Sequence, residues 1–208
     1  MRLSLIGPGD IKYHFQELLK IPKKKFKSEL EKIAQALVDS GVEIELLPDR
    51  GISFEIAKIY KQKGGKKVIA AIPQSDKTFG IKHLEQFINS EIIDEKVNTG
   101  DWYKHDLIKG LLGNAVLYLG NSPGTNGELN YAVYLYKILT GRKEGVEIAG
   151  KFIHSEIRAG KDYTIFVYSP FLKSGKLSEE LENYIRKFNI SLVYINNPNQ
   201  LRDKLRYF

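Results

Sequence analysis

The chain has no cysteine, which excludes disulfides, thiolate zinc centres and a cysteine nucleophile and leaves any chemistry to oxygen and nitrogen groups. Long apolar runs are also missing. None approaches the roughly 20 residues that a membrane-spanning helix needs, and the stretch from Met1 to Gly7 lacks the apolar core of a signal peptide. A soluble, cytoplasmic protein without a membrane partner is therefore expected. His14, His83, His105 and His154 show no HxH or HExxH spacing, so no metal site is expected, and most are read as solvent-facing or locally bonded. The segment Ile6-Gly7-Pro8-Gly9-Asp10 has two of the glycines of a dinucleotide fingerprint but not the full GxGxxG spacing, which argues against a NAD-type site. No cofactor is expected. Repeats, low-complexity tracts and Pro/Ser-rich linkers are absent too, and a length of 208 residues suits one domain.

What is present is charge and alternation. The 32 basic residues outnumber 25 acidic ones for a formal net charge of +7, with clusters at Lys23-Lys24-Lys25, Lys61/Lys63 and Lys66-Lys67. Such a surface can attract a polyanion. It can equally be a Lys/Glu-rich solvated surface of the kind frequent in heat-adapted proteins. The interspersed acids and the lack of a recognition-helix or single-strand-binding signature favour the second reading, so nucleic acid is not the expected partner.

Apolar runs alternate with amphipathic stretches from end to end, the pattern of β/α units feeding a mainly parallel sheet. The expected strands are Arg2 to Ile6, Val42 to Leu47, Lys67 to Ile72, Ala115 to Leu119, Tyr163 to Tyr168 and Ser191 to Ile195. Most of them lack clean polar alternation, so helices should cover both faces. Expected helices are Ser28 to Ser40, with Ser28 as N-cap and Gly41 as stop, and Ser53 to Lys63, ended by Gly64-Gly65. Asp101 to Leu112, Glu128 to Leu139, Leu177 to Phe188 and Pro198 to Leu205 complete the set, Pro198 suiting a first helical turn. The stretch Pro73 to Gly100 is read as a helix around Ile81 to Asn89 followed by a ligand-facing loop. Arg142 to Lys161 reads as a β-hairpin or a mobile excursion. The fold class is α/β, Rossmann-like, with three layers around a mainly parallel sheet.

The most informative segment is NAVLYLGNSPGTNGELNYAVYLYKILT, residues 114–140, where a buried-type strand passes through small residues into a helix. Gly120, Asn121, Ser122, Gly124, Thr125, Asn126 and Gly127 let backbone N–H groups approach an anion at a helix N-terminus, where unpaired donors and the dipole favour phosphate. The competing reading is a tight turn that needs its glycines for backbone angles alone. Glu128 likewise has two readings. Thr125-Asn126-Gly127-Glu128 fits a capping box, whereas a carboxylate in a first helical turn can act as a base or balance a developing cation. As the first strand-to-loop crossing, Gly7, Pro8 and Gly9 are placed as a second wall of the same pocket.

GNSPGTNGE resembles the PGGxGTxxE motif of the Lonely Guy family of phosphoribohydrolases, once mislabelled lysine decarboxylases. Gly124, Thr125 and Glu128 fall on its GT and E, Asn114-Ala115 stands where the family has Asp-Ala, and Gly120-Asn121-Ser122 replaces the PGG. Weaker likeness runs through Gly7-Pro8-Gly9, the segment from Gly64 to Pro73 and the final strand-Asn-Pro-helix. The resemblance implies a nucleoside monophosphate ligand, release of its base by the motif glutamate together with an arginine, and a homodimer, for which Tyr131, Tyr134 and Tyr136 offer helix faces. At the arginine's position stands His105, with Lys104 and Lys109 nearby, and neither lysine reproduces the bidentate fork. The family's glycine-rich turn after the second strand is altered to Pro48-Asp49-Arg50-Gly51. Trp102 and Tyr103 are candidates to stack on a base or to fill the core. Glu128 and His105 are thus the catalytic candidates. A phosphoribohydrolase and a non-catalytic nucleotide-binding or sensing protein that has lost the arginine are the two readings carried forward.

Overall fold

The computed structural model describes residues 1–102, 113–139, 146–148, 151–153 and 163–207. Its strands are β1 (Arg2–Ile6), β2 (Glu43–Leu46), β3 (Val68–Ile72), β4 (Glu95–Asn98), β5 (Ala115–Tyr118), β6 (Val146–Ile148), β7 (Lys151–Ile153), β8 (Thr164–Tyr168) and β9 (Ser191–Ile195). Seven of them form one sheet in the order β4-β3-β2-β1-β5-β8-β9. Every pairing in it is parallel. β6 and β7 pair antiparallel as a separate two-stranded sheet, within the stretch whose glycine spacing suggests a hairpin.

β3, β5 and β8 are buried at every position, as expected for strands covered on both faces. One face carries α1 (Lys23–Asp39), α2 (Ile52–Gln62) and, at the chain's end, Pro198–Leu205; the other carries the helices Pro123–Leu139 and Glu179–Lys187. In α1, Phe26, Leu30, Ile33, Ala34 and Leu37 are all buried. Their i, i+4, i+7, i+8, i+11 spacing puts them on one stripe, and burying each large side chain contributes about 1.5–3 kcal/mol. Phe26 draws the helix a turn further back than Ser28. It begins after Pro22, so Ser28 lies inside it and is not its N-cap. Gly41 does end it, with φ of 64°.

Two further departures have local causes. β4 occupies the sheet edge where a ligand-facing loop was expected, because only Val97 of Glu95-Lys96-Val97-Asn98 is buried and the strand carries no apolar run. The helix expected at 81–89 is a 3₁₀ turn, Lys82–Leu84, running into α3 (Glu85–Ile88). A seven-residue π-helix, Lys12–Leu18, follows β1 and was not anticipated. Among the described residues no helix is long and apolar enough to cross a membrane. Several of the clustered lysines are ion-paired: Lys61 with Asp94 at 2.9 Å, Lys66 with Glu43 at 3.8 Å and Lys67 with Glu95 at 2.7 Å.

Candidate functional site

β1 and β5 are neighbours, yet the strands that follow them run to opposite edges of the sheet. That is a topological switch point, where an open α/β sheet leaves a crevice outside its carboxyl ends. The register Leu3↔Ala115 to Ile6↔Tyr118 brings both strands out at one level, and the Leu119 N–H donates to the Ile6 carbonyl at 2.9 Å. The two loops then touch. A Cβ on Gly7 would stand 2.4 Å from Ile52 Cγ2 and 3.1 Å from Leu119 Cβ, so the approach of the two walls requires glycine there.

The helix after β5, α4 (Pro123–Leu139), begins five residues before Glu128. Ser122 caps it: the Ser122 hydroxyl accepts from the Thr125 N–H at 3.3 Å and its carbonyl accepts from the Asn126 N–H at 2.8 Å. Pro123 takes the first helical position, which its fixed φ suits. The capping box starting at Thr125 is therefore corrected, and Glu128 lies in the second turn, beyond the cap. Asn126 is held from two sides, accepting from the Tyr118 hydroxyl at 2.6 Å and donating to the Asn121 side chain at 2.6 Å. Burial pushes the Tyr118 phenol well up from its ordinary pKa, so it stays a donor.

Above β1 and β5 lies an open cavity of about 170 Å³. One wall is the start of α4, with Ser122, Gly124, Thr125 and Glu128; the base is Gly7 and Gly9. Glu128 is 8% exposed. The opposite wall is the end of β2 and the start of α2, with Leu47, Asp49, Arg50, Gly51, Ser53 and Phe54. Of the sequence-derived residues, Gly7, Gly9, Ser122, Gly124, Thr125 and Glu128 thus come together. Pro8, Asn121, Asn126 and Gly127 are not among the lining residues, although the Pro8 carbonyl accepts from the Ile52 N–H at 3.1 Å and so ties the base to the β2 wall.

The β2 wall is the part the sequence reading did not assign. Its signal was present in Pro48-Asp49-Arg50-Gly51, a polar, glycine-bearing turn at the carboxyl end of a strand next to β1. Gly51 has φ of 136°, and a Cβ there would meet Gly9 Cα at 2.8 Å and Pro8 O at 2.9 Å. The turn is consequently locked to the β1 loop. The first turns of two helices, α2 and α4, face one cavity, each with N–H groups that have no partner inside the helix.

His14 is also placed unexpectedly. It is buried on the π-helix, its Nε2 lies 3.3 Å from the Phe171 carbonyl, and a Cβ on Gly120 would come within 2.8 Å of it. Burial lowers its pKa from the ordinary 6.5, against an opposing effect of the Phe171 carbonyl. His105, Tyr103, Lys104 and Lys109 lie outside the described residues. Trp102 is structural: its Nε1 donates to the Gly80 carbonyl at 3.0 Å and its backbone N–H to Asp76 at 3.0 Å. On α4, Tyr131 and Tyr134 are exposed, but Tyr136 is fully buried against Tyr163 and leaves no face for a partner. Among the described residues no group of three or more His, Asp or Glu is arranged to hold a metal ion.

Fold and cleft together define a Rossmann-like α/β protein with its crevice at the β1/β5 switch point. Solved structures of similar fold include the molybdenum cofactor carrier protein of Chlamydomonas reinhardtii, with a TM-score of 0.59, 14% identity and coverage of 99% of this chain and 95% of that one. The molybdenum cofactor binding protein of the phototrophic bacterium Rippkaea orientalis gives a TM-score of 0.58, 13% identity and coverage of 99% and 95%. DNA processing protein A of Streptococcus pneumoniae gives 0.52, 16% identity, and coverage of 98% of this chain but 61% of that one. At these identities the likeness is one of fold. No family model and no curated protein sequence matches the chain.

Proposed function

We propose that this protein binds a nucleoside monophosphate, or a closely similar phosphorylated small molecule, in the cleft between α2 and α4. The observation that carries this reading is the convergence of two helix N-termini and Arg50 on one cavity at the switch point. Backbone donors and the positive ends of both dipoles favour a phosphate there. The paired lysines away from the cleft support a small anion over a nucleic-acid track.

Hydrolysis of the N-glycosidic bond is the enzymatic form of the proposal, with Glu128 on the cavity wall as the residue that positions water or balances oxocarbenium charge. Binding without turnover is the second reading. The names of the fold neighbours, a molybdenum cofactor carrier and a molybdenum cofactor binding protein, favour it. The deciding experiment has two parts. Calorimetry should give tighter binding of nucleoside monophosphates than of the matching nucleosides, and equal affinities would overturn the site. Chromatography across purine and pyrimidine monophosphates then separates the forms: free base supports the hydrolase, and its absence with binding intact supports the carrier or sensor.

A further inference from the structure

The cleft contains a cation that the fold does not use. Arg50 lines the cavity from the β2 wall and is exposed to solvent. Among the described residues Arg186 pairs with Glu182 and Arg202 with Asp203, but no carboxylate pairs with the Arg50 guanidinium. The neighbouring Asp49 carboxylate instead accepts the Arg50 backbone N–H at 2.6 Å, holding the turn. Gly51, pressed against Gly9 and Pro8, fixes it from the other side. A long cationic side chain is therefore presented from a locked backbone towards the cavity.

The hydroxyl donors are arranged on both walls. Ser53 stands on the Arg50 side. On the α4 side the Ser122 and Thr125 hydroxyls share one hydrogen bond at 2.7 Å. Two hydroxyls joined by one bond keep a second proton for another acceptor. Guanidinium, Ser53 and the Ser122–Thr125 pair thus supply donors from three separate points. A carboxylate or a phosphodiester offers only two unsubstituted oxygens, whereas a phosphomonoester offers three and a charge near −2.

We infer that Arg50 is the specificity-determining residue of the cleft and that it selects a phosphomonoester over a phosphodiester. This rests on the nucleotide-binding reading above. The guanidinium fork takes two oxygens of the terminal phosphate while the hydroxyls of the two walls reach the third, so ring closure of the phosphate removes one of the three contacts and half the charge.

The test is calorimetry with a nucleoside 5′-monophosphate, the corresponding 3′,5′-cyclic monophosphate and the nucleoside, on the wild type and on Arg50→Ala and Arg50→Lys. The wild type should bind the 5′-monophosphate at least about 10-fold more tightly than the cyclic diester, as expected for a lost charge-assisted contact. Arg50→Ala should reduce that ratio to about 3-fold or less without changing thermal stability, since the side chain is exposed and unpaired. Arg50→Lys should recover part of the affinity but not the full ratio. An unchanged ratio in Arg50→Ala, or equal wild-type binding of the two phosphates, overturns the inference while leaving the cleft as a nucleotide site. Equal binding of the 5′-monophosphate and the nucleoside by the wild type overturns both.

Discussion

Gly120 and Gly124 stand four residues apart in the same strand-to-helix crossing, and they should respond to alanine in opposite ways. At Gly120 the backbone has φ of 135°, and a Cβ would lie 2.8 Å from His14 Nε2 and 3.1 Å from Pro8 Cδ. Strain in that region costs about 1–3 kcal/mol, and with the contact added Gly120→Ala should destabilise by about 2 kcal/mol or more. For a chain of this size that lowers Tm by about 4–8 °C. Gly124 is not in the left-handed region, and a Cβ there meets nothing within 4 Å. In the first turn of α4, Gly124→Ala should leave stability unchanged or raise it by about 0.5 kcal/mol, through helix propensity and a less flexible unfolded chain.

The cavity turns this contrast into a test of the site. Gly124 lines it, so the new methyl group would stand where the proposed phosphate approaches the backbone. Losing a charge-assisted contact of about 1.5–3 kcal/mol lowers affinity about 10- to 100-fold. Thermal denaturation and calorimetry with a nucleoside monophosphate measure the two effects separately. If Gly124→Ala unfolds as readily as Gly120→Ala, the glycine serves chain geometry. If it keeps wild-type affinity within about 2-fold, the phosphate does not lie against α4.

Burial depresses the His14 pKa, so the folded chain keeps His14 neutral where the unfolded chain protonates it. Its contribution is complete above the ordinary value of 6.5 and is lost as pH falls below that value, at no more than about 1.4 kcal/mol per pH unit. Denaturant midpoints from pH 8 to 5 should fall more steeply for the wild type than for His14→Gln, and parallel curves would contradict the assignment. For Glu128, replacement by Gln keeps shape but removes the base: if the protein is a hydrolase, base release should fall at least about 100-fold with nucleotide affinity within about 3-fold. Turnover at the wild-type rate in Glu128→Gln would remove Glu128 from the reaction.

The sheet was legible because apolar residues recur through each of its strands except β4, including β9 at the opposite edge. Arg2–Ile6 and Ser191–Ile195 are found at their expected bounds, and β2, β3, β5 and β8 within one residue at each end. β4 escaped because Glu95 and Lys96 are charged and only Val97 of its residues is buried. The α4 wall of the cleft was legible from its small residues. The α2 wall was not, because Arg50 and Ser53 carry no motif and reach the cavity only through the β1–β2 pairing. The strand order sets 48–53 beside the β1 loop at the switch point, a juxtaposition that the local sequence does not carry.

The misplaced start of α4 had the larger consequence for chemistry. Both Ser122-Pro123-Gly124-Thr125 and Thr125-Asn126-Gly127-Glu128 fit a helix start on paper, and the first wins because Pro123 is pre-shaped for the opening helical position. In the second register Glu128 would bond back to the cap residue, and its carboxylate would have a structural purpose. With Ser122 as the cap, Glu128 is six residues further on, about 9 Å along the axis, too far to close a capping box. Glu128 therefore lies on the cavity wall, 8% exposed, in the turn after the backbone donors that open α4, with Asp49 and Arg50 both lining the opposite wall.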